Sequence, residues 1–317
     1  RRAVRRSRRG GVRTRCGRAM AAGRCRLPWG LSRRRRLVLC LLVALVFCAA
    51  QIAIVSNGLG LFGLVPVRPG ELGLLLLWGG LTLLGPRRVV SALRVIFPQY
   101  GDTVFYYSVR QHPGVQGLVA LTVDDGVCRH GASRSLLGEV LALLRNHSAH
   151  ATFFVSSSYL RPGDVQRLVR DGHEVANHMP EDREDYASME AAAFRAALQL
   201  TQAALEPHIG PGAPRWFRAP QGRLTRAMAS VLRELNFTHA LGDSYADDWA
   251  IADPERVASL YLRQLDSGSV AIMHMPERGF REHTKETMRL VLSGLAARGL
   301  SAVTLGQLDS AARGEKK

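Results

Sequence analysis

The chain has 317 residues, 47% of them hydrophobic and 22% charged, with a mean hydropathy of −0.02. That length and balance suit one large domain or two ordinary ones with a real core, and 14 Pro and 31 Gly scattered without a period exclude a collagen-like or low-complexity chain. The net charge of +17 is concentrated at one end: residues 1–36 hold 15 Arg and no acid, and subtracting those 15 leaves +2 for the other 281 residues.

Residues 1–36 therefore read as a basic, disordered tail rather than as part of a nucleic-acid-binding body. Such a tail could meet phosphates, but it runs straight into an apolar segment, as the cytosolic flank of a membrane span does. No nucleic-acid partner is expected. The first Met is Met20, and residues 1–19 admit a reading as upstream translation. Of five Cys, only Cys128 lies beyond residue 60. This excludes a disulfide framework in the C-terminal region.

Leu37 to Val55 is a 19-residue apolar run with Gln51 its only strongly polar member. At 1.5 Å per residue it nearly spans a hydrocarbon core of about 30 Å, and Arg33 to Arg36 precede it. The run predicts a transmembrane anchor over 37–55. The alternative is a cleaved signal peptide with Cys48 and Ala50 before the cut. A second apolar run at 72–85 is shorter than a typical span. One span places the body in a lumen or outside the cell; two return it to the cytosol, with Arg87 and Arg88 as a second basic flank. The sequons at Asn146 and Asn236 favour the lumenal choice. Residues 56–115 read as a linker containing the second apolar run.

Beyond it, residues 116–310 alternate with a regular beat. Apolar or β-branched runs fall at 117–124, 151–157, 173–177, 214–219, 238–243, 268–274 and 301–306. Helical spacing separates them, most clearly at Leu136 to Leu144, Phe194 to Leu205, Val257 to Leu265 and Met288 to Leu295. Strand–helix alternation over some 200 residues predicts an α/β domain with parallel strands. Seven strand–helix units fit a barrel better than an open sheet.

Polar residues gather at the strand ends: Asp124 and Asp125; His178 and Asp182; Arg218; Asp247, Asp248 and Trp249; and His274. Each has a bland reading as turn, surface or solvated pair. Their shared position at one end of successive strands is what scattered charge lacks, and chemistry in such barrels sits at that rim. Adjacent carboxylates in a cleft invite a divalent metal, with one as ligand and the other as base on water. His178 and Asp182, four apart, reach the same ion if their stretch makes a helical turn. Asp125, His178 and Asp182 then form a three-ligand site with an open position.

The motifs TVDDG at 122–126, GHEVANHMPED at 172–182, RAPQG at 218–222, DDW at 247–249 and IMH at 272–274, in that order, resemble the polysaccharide deacetylases of the NodB-homology type, carbohydrate esterase family 4. The resemblance covers about residues 115–310. It implies a distorted (β/α) barrel of about seven parallel strands, here preceded by the N-terminal transmembrane helix. It implies a metal-dependent hydrolase that removes N-acetyl groups from an N-acetylated glycan. By similarity Asp124 is the general base, His274 the general acid, Arg218 the partner of Asp124, and Asp248 the residue that tunes His274. Asp125, His178 and Asp182 hold one divalent metal, Zn2+, with Mn2+ or Co2+ as alternatives. Pro220, Gln221 and Trp249 fall on the substrate side, and the Gln221 backbone N–H joins the metal in holding the oxyanion.

The departures are specific. Most members carry His where this chain has Asp182, and two carboxylates with one imidazole form a harder set that welcomes Mn2+ or Mg2+. Glu181 competes for that third position. Val123 and Gln221 replace the usual Phe and Tyr. Two other readings stand beside the deacetylase: a carbohydrate-binding pseudoenzyme, and a hydrolase of other non-peptide carbon–nitrogen bonds.

Overall fold

The structure is a computed structural model that describes residues 85–210 and 212–315. The basic tail at 1–36, the anchor expected at 37–55 and residues 72–84 of the second apolar run lie outside the described residues. Among the described residues, no helix is long and apolar enough to cross a membrane.

Seven parallel strands form one curled sheet: β1 (Leu118–Gly126), β2 (Thr152–Val155), β3 (Glu174–Asn177), β4 (Trp216–Phe217), β5 (Thr238–His239), β6 (Val270–His274) and β7 (Ser301–Val303). They run in the order β5-β4-β3-β2-β1-β6, with β7 paired to the first half of β1. A single parallel bridge between Ser244 and Ala271 ties the segment after β5 to β6. This is the α/β architecture of a (β/α) barrel, and every predicted apolar run contains a strand. Two runs overshoot: β4 and β5 have two residues each.

Helix α1 (Pro86–Ile96) precedes the sheet. The others are α2 (Leu137–Asn146), α3 (Asp164–Arg170), α4 (Ala191–Leu205), α5 (Arg226–Glu234), α6 (Pro254–Gln264), α7 (His283–Ala297) and α8 (Leu305–Arg313). Side-chain oxygens cap three of them: Thr225 on α5, Asp253 on α6, and Thr304 on α8 in a capping box with Gln307. Each cap satisfies an N–H that has no partner within its helix.

The period-2 alternation of strands decides where the chemistry sits. On β1, Val119, Leu121 and Val123 point outward, into a core shared with Leu141 and Leu144 of α2, Tyr261 of α6 and Val291 and Leu295 of α7. Ala120 points inward with Phe154, Ala176, Trp216 and Val270, and Leu305 and Leu308 of α8 pack into the same interior cluster. Continuing the alternation places Asp124 on the inner face of β1 and His274 on the inner face of β6. Strand register sets these two residues opposite each other.

The segment before β1, read from sequence as linker, packs on the barrel. Arg87 of α1 bonds to Asp243 and to the Ser267 carbonyl. The Tyr100 hydroxyl donates to the Gly222 carbonyl at 2.9 Å and accepts from the Leu224 N–H at 3.0 Å.

Candidate active site

Asp124 ends the inward face of β1 and is nearly buried. Its Oδ1 accepts from Arg218 Nη1 at 2.5 Å. Arg218 follows β4 and is 1% exposed. Its guanidinium also donates to Thr122 Oγ1 and to the carbonyls of Ala240 and Leu241, and it lies 3.9 Å over the Phe154 ring. Burial pulls the Arg218 pKa down despite the Asp124 charge. Such a buried pair holds only because nearly every donor is met.

Asp125 adopts φ 58°, a left-handed conformation that turns its carboxylate away from the strand pattern. Oδ2 accepts from Arg281 Nη1, while Oδ1 is buried with no hydrogen-bond partner. Burial pushes this carboxyl up, but His274, His178, Arg281 and Arg129 outweigh it and hold it below the usual range.

His178 follows β3, and its Nδ1 lies 2.9 Å from the Arg218 carbonyl. That carbonyl can only accept, so Nδ1 carries a proton and Nε2 is the ring atom left to face the site. Nε2 faces Asp125 Oδ1 at 3.8 Å. The helical turn expected over 178–182 is absent. Met179 instead takes φ 65°, with its N–H held by Asn177 Oδ1, and this reversal brings Asp182 back toward His178. Ligand atoms of Asp125, His178 and Asp182 lie within 4.8 Å of one another; Glu181 is not in the group. A buried carboxylate oxygen that accepts no hydrogen bond, an imidazole nitrogen turned toward it and a second carboxylate are a donor set that fits a divalent cation.

His274 is fixed twice by Asp248: Nδ1 lies 2.7 Å from Oδ1, and the His274 backbone N–H donates to Oδ2 at 2.7 Å. The Asp248 carbonyl in turn accepts from Thr284 and lies 2.7 Å from His283 Nε2. Burial alone lowers the His274 pKa, but Asp248, Asp125 and Asp124 overcome it and push it up to about 9. At neutral pH this imidazole is a cation with a proton to give.

Of the expected substrate-side residues, Pro220 is buried and Gln221 is exposed at φ 55° with its amide on both Asp182 oxygens. Trp249 is 44% exposed, and its Nε1–H donates to the Tyr245 hydroxyl at 2.6 Å. The Tyr245 ring stands edge-on to His274. All ten expected site residues thus gather at the C-terminal rim of the sheet.

Sequence reasoning missed two arginines. Arg129 Nη2 lies 3.5 Å from Asp125 Oδ1 and 3.3 Å from Asp182 Oδ2, and Arg281 meets Asp125 from the other side. The only available signal was their place in loops that follow strands bearing the motifs. Glu277 holds the Arg129 loop from beneath, accepting from the backbone N–H groups of Arg129 and His130.

Comparison with known proteins shows what the chain resembles. Residues 112–240 match the polysaccharide deacetylase family profile. Over that stretch the chain is similar to the polysaccharide deacetylases. It is 27% identical over 217 residues to the chitooligosaccharide deacetylase of Bradyrhizobium sp. (strain ANU 289), covering 64% of this chain and 96% of that one. It is 24% identical over 217 residues to the uncharacterized protein YlxY of Bacillus subtilis (strain 168); the match covers 68% of this chain but 66% of YlxY. Among solved structures, the Bc1960 peptidoglycan N-acetylglucosamine deacetylase superposes with a TM-score of 0.57 at 23% identity, over 65% of this chain and 92% of that one. That last likeness concerns the fold.

Proposed function

We propose that this polysaccharide deacetylase domain hydrolyses the N-acetyl amide of an N-acetylated glycan with one divalent metal, and that residues 37–55 anchor it to a membrane. The observation that carries the reading is the buried Asp125 Oδ1, which accepts no hydrogen bond, beside His178 Nε2 and Asp182. These three residues would hold the ion. Bound there, it supplies Lewis-acid polarisation of the acetyl carbonyl and acidifies water.

The chain's own residues do the rest. Arg218 occupies Asp124 Oδ1 and leaves Oδ2 to take a proton from the attacking water. The water oxygen bonds to the acetyl carbon, and the backbone N–H of Gln221 is the proposed donor to the developing oxyanion. His274, charged by its acidic neighbours, gives its Nε2 proton to the leaving nitrogen as the carbon–nitrogen bond breaks. The products are acetate and a free amine. Asp248 holds the imidazole through Nδ1, which leaves Nε2 as the outgoing donor.

A second reading is a carbohydrate-binding pseudoenzyme. Its support is Arg129, whose guanidinium bridges the two carboxylates that would grip the metal. Acetate release from N-acetylglucosamine oligomers separates the two. The deacetylase reading expects release with Zn2+, Co2+ or Mn2+ that vanishes in Asp124→Asn. Oligomer binding with no acetate under any of these metals favours the pseudoenzyme.

A further inference from the structure

Helix α1 buries Val90 against the body but leaves a second apolar stripe outside. A helix on the surface of a water-soluble domain turns its charges outward and its apolar residues inward. In α1, two of the three arginines turn toward the body. Arg87 pairs with Asp243 at 3.1 Å and lies over the Tyr106 ring; Arg94 donates to the Thr103 carbonyl at 2.6 Å and lies over the Phe105 ring. The opposite side carries Arg88, Ala92, Val95 and Ile96, which are spaced i, i+4, i+7 and i+8 and so form one stripe. Val95 is 72% exposed, Ile96 59% and the following Phe97 44%. These three account for half of the six large hydrophobic residues exposed among the described residues.

Charge is arranged to match. At the N-terminal end of α1 an open groove of about 360 Å3 is lined by Arg87, Arg88, Arg263 and Arg298, with Asp266 as its exposed acid. Arg87 and Arg298 are committed to internal partners, the latter to the Leu262 and Leu265 carbonyls. Arg88 and Arg263 are exposed and form no ion pair among the described residues. The apolar run 72–85 ends immediately before Pro86.

We propose that α1 lies in the headgroup layer of an anionic bilayer, with Ala92, Val95, Ile96 and Phe97 dipping among the acyl chains and Arg88 and Arg263 meeting lipid phosphates. An exposed apolar stripe flanked by arginines is the pattern of an interfacial helix, and each arginine near an anionic surface adds its own attraction. The apolar chain leading directly into α1 favours a bilayer over a protein partner, because a stripe of three turns is short of the roughly 800 Å2 per side that a stable protein interface needs. The proposal rests on the anchored reading for its nearby bilayer and adds that the domain itself touches the lipid.

The test uses the full chain reconstituted in vesicles of phosphatidylcholine, with or without phosphatidylserine, made with lipids brominated near the headgroup end of the acyl chain. Val95→Trp places a reporter in the stripe. Leu200→Trp, at an exposed position on α4, is the control. Emission beyond the wild-type background is expected to fall at least twofold for position 95 in brominated vesicles and to stay unchanged for position 200. Quenching at 95 should be stronger with phosphatidylserine, and Arg88→Gln with Arg263→Gln should return it to the level of the neutral vesicles. Equal quenching at both positions, or none at 95 in a chain that floats with the vesicles, overturns the proposal and leaves the anchor standing. A chain that does not float with vesicles overturns both.

Discussion

Asp124 and His274 stand opposite one another on adjacent parallel strands, each backed by its own buried counter-ion. Arg218 lies 2.5 Å from the first and Asp248 2.7 Å from the second. The proposed base and acid are thereby held one strand spacing apart, about 4.8 Å. The sheet register, not a flexible loop, sets this separation.

Replacing Asp124 by Asn keeps the shape and removes the proton acceptor. Acetate release should fall by about 10²- to 10⁴-fold, while oligomer binding measured by calorimetry stays within a few-fold of wild type. An active Asp124→Asn enzyme would assign the base elsewhere.

In the proposed mechanism His274 sets the alkaline limb of activity. It acts as an acid only when protonated, and its pKa of about 9 keeps it so at neutral pH. Activity should therefore fall as pH rises through a value at or below about 9, since a cation beside Asp125 offsets part of the field that raises it. Asp248→Asn should move this limb down toward the ordinary histidine range near 6.5. The sign for stability follows the same direction. A folded-state pKa above the unfolded value stabilises fully below about 6.5, and the contribution, roughly 3 kcal/mol, is lost by about pH 9. Denaturant unfolding of wild type and Asp248→Asn across that window measures the difference.

Arg218 is the least dispensable side chain of the rim. Arg218→Met leaves Asp124 buried without its partner, which costs about 3–5 kcal/mol. The double variant Arg218→Met with Asp124→Leu removes both charges and should recover most of that loss in urea melts. If the single variant is no less stable than the double, the pair is not what holds the rim.

Metal choice should turn on residue 182. Asp125→Ala is expected to lose bound metal by elemental analysis, and Asp182→His to shift preference toward Zn2+ over Mn2+, as a softer donor set does. Chelation should lower the melting temperature of wild type but leave Asp125→Ala unmoved. Identical metal content in all three proteins would remove this triad from consideration.

Acid should unfold the domain partly through His239. Burial first, then Arg218 and His178, lower its pKa to about 3, and its ring bonds Thr103 Oγ1 at 2.8 Å. The unfolded chain binds the proton and the folded one refuses it, so stability falls as pH drops from about 6.5 to about 3. His239→Gln should flatten the decline seen in thermal melts over that range.

Most of the architecture was legible because β-branched runs and period-2 alternation mark strands wherever one face is buried. The runs at 214–219 and 238–243 were read too long for a local reason. Regular pairing ends one residue beyond Phe217 and His239, where Arg218 and Ala240 make their last ladder bonds and Pro220 has no N–H to give. Helix α5 escaped notice because its buried face is carried by Met228, Ala229, Val231 and Leu232 among charged residues. In the site, His178 and Asp182 converge as expected but through a left-handed Met179 that no helical periodicity announces. Arg129 and Arg281 were invisible for a statistical reason: among 43 Lys and Arg, a loop arginine looks like any solvated charge until its neighbours are known.

The double bond of Tyr100 to Gly222 and Leu224 fastens the leading segment to the loop that presents Gln221. Anyone trimming the protein for crystallisation or assay should therefore cut upstream of Pro86. A version starting at residue 116 would keep every motif and still lose the brace on the Gln221 loop, and low turnover in such a fragment would indict the truncation before the chemistry.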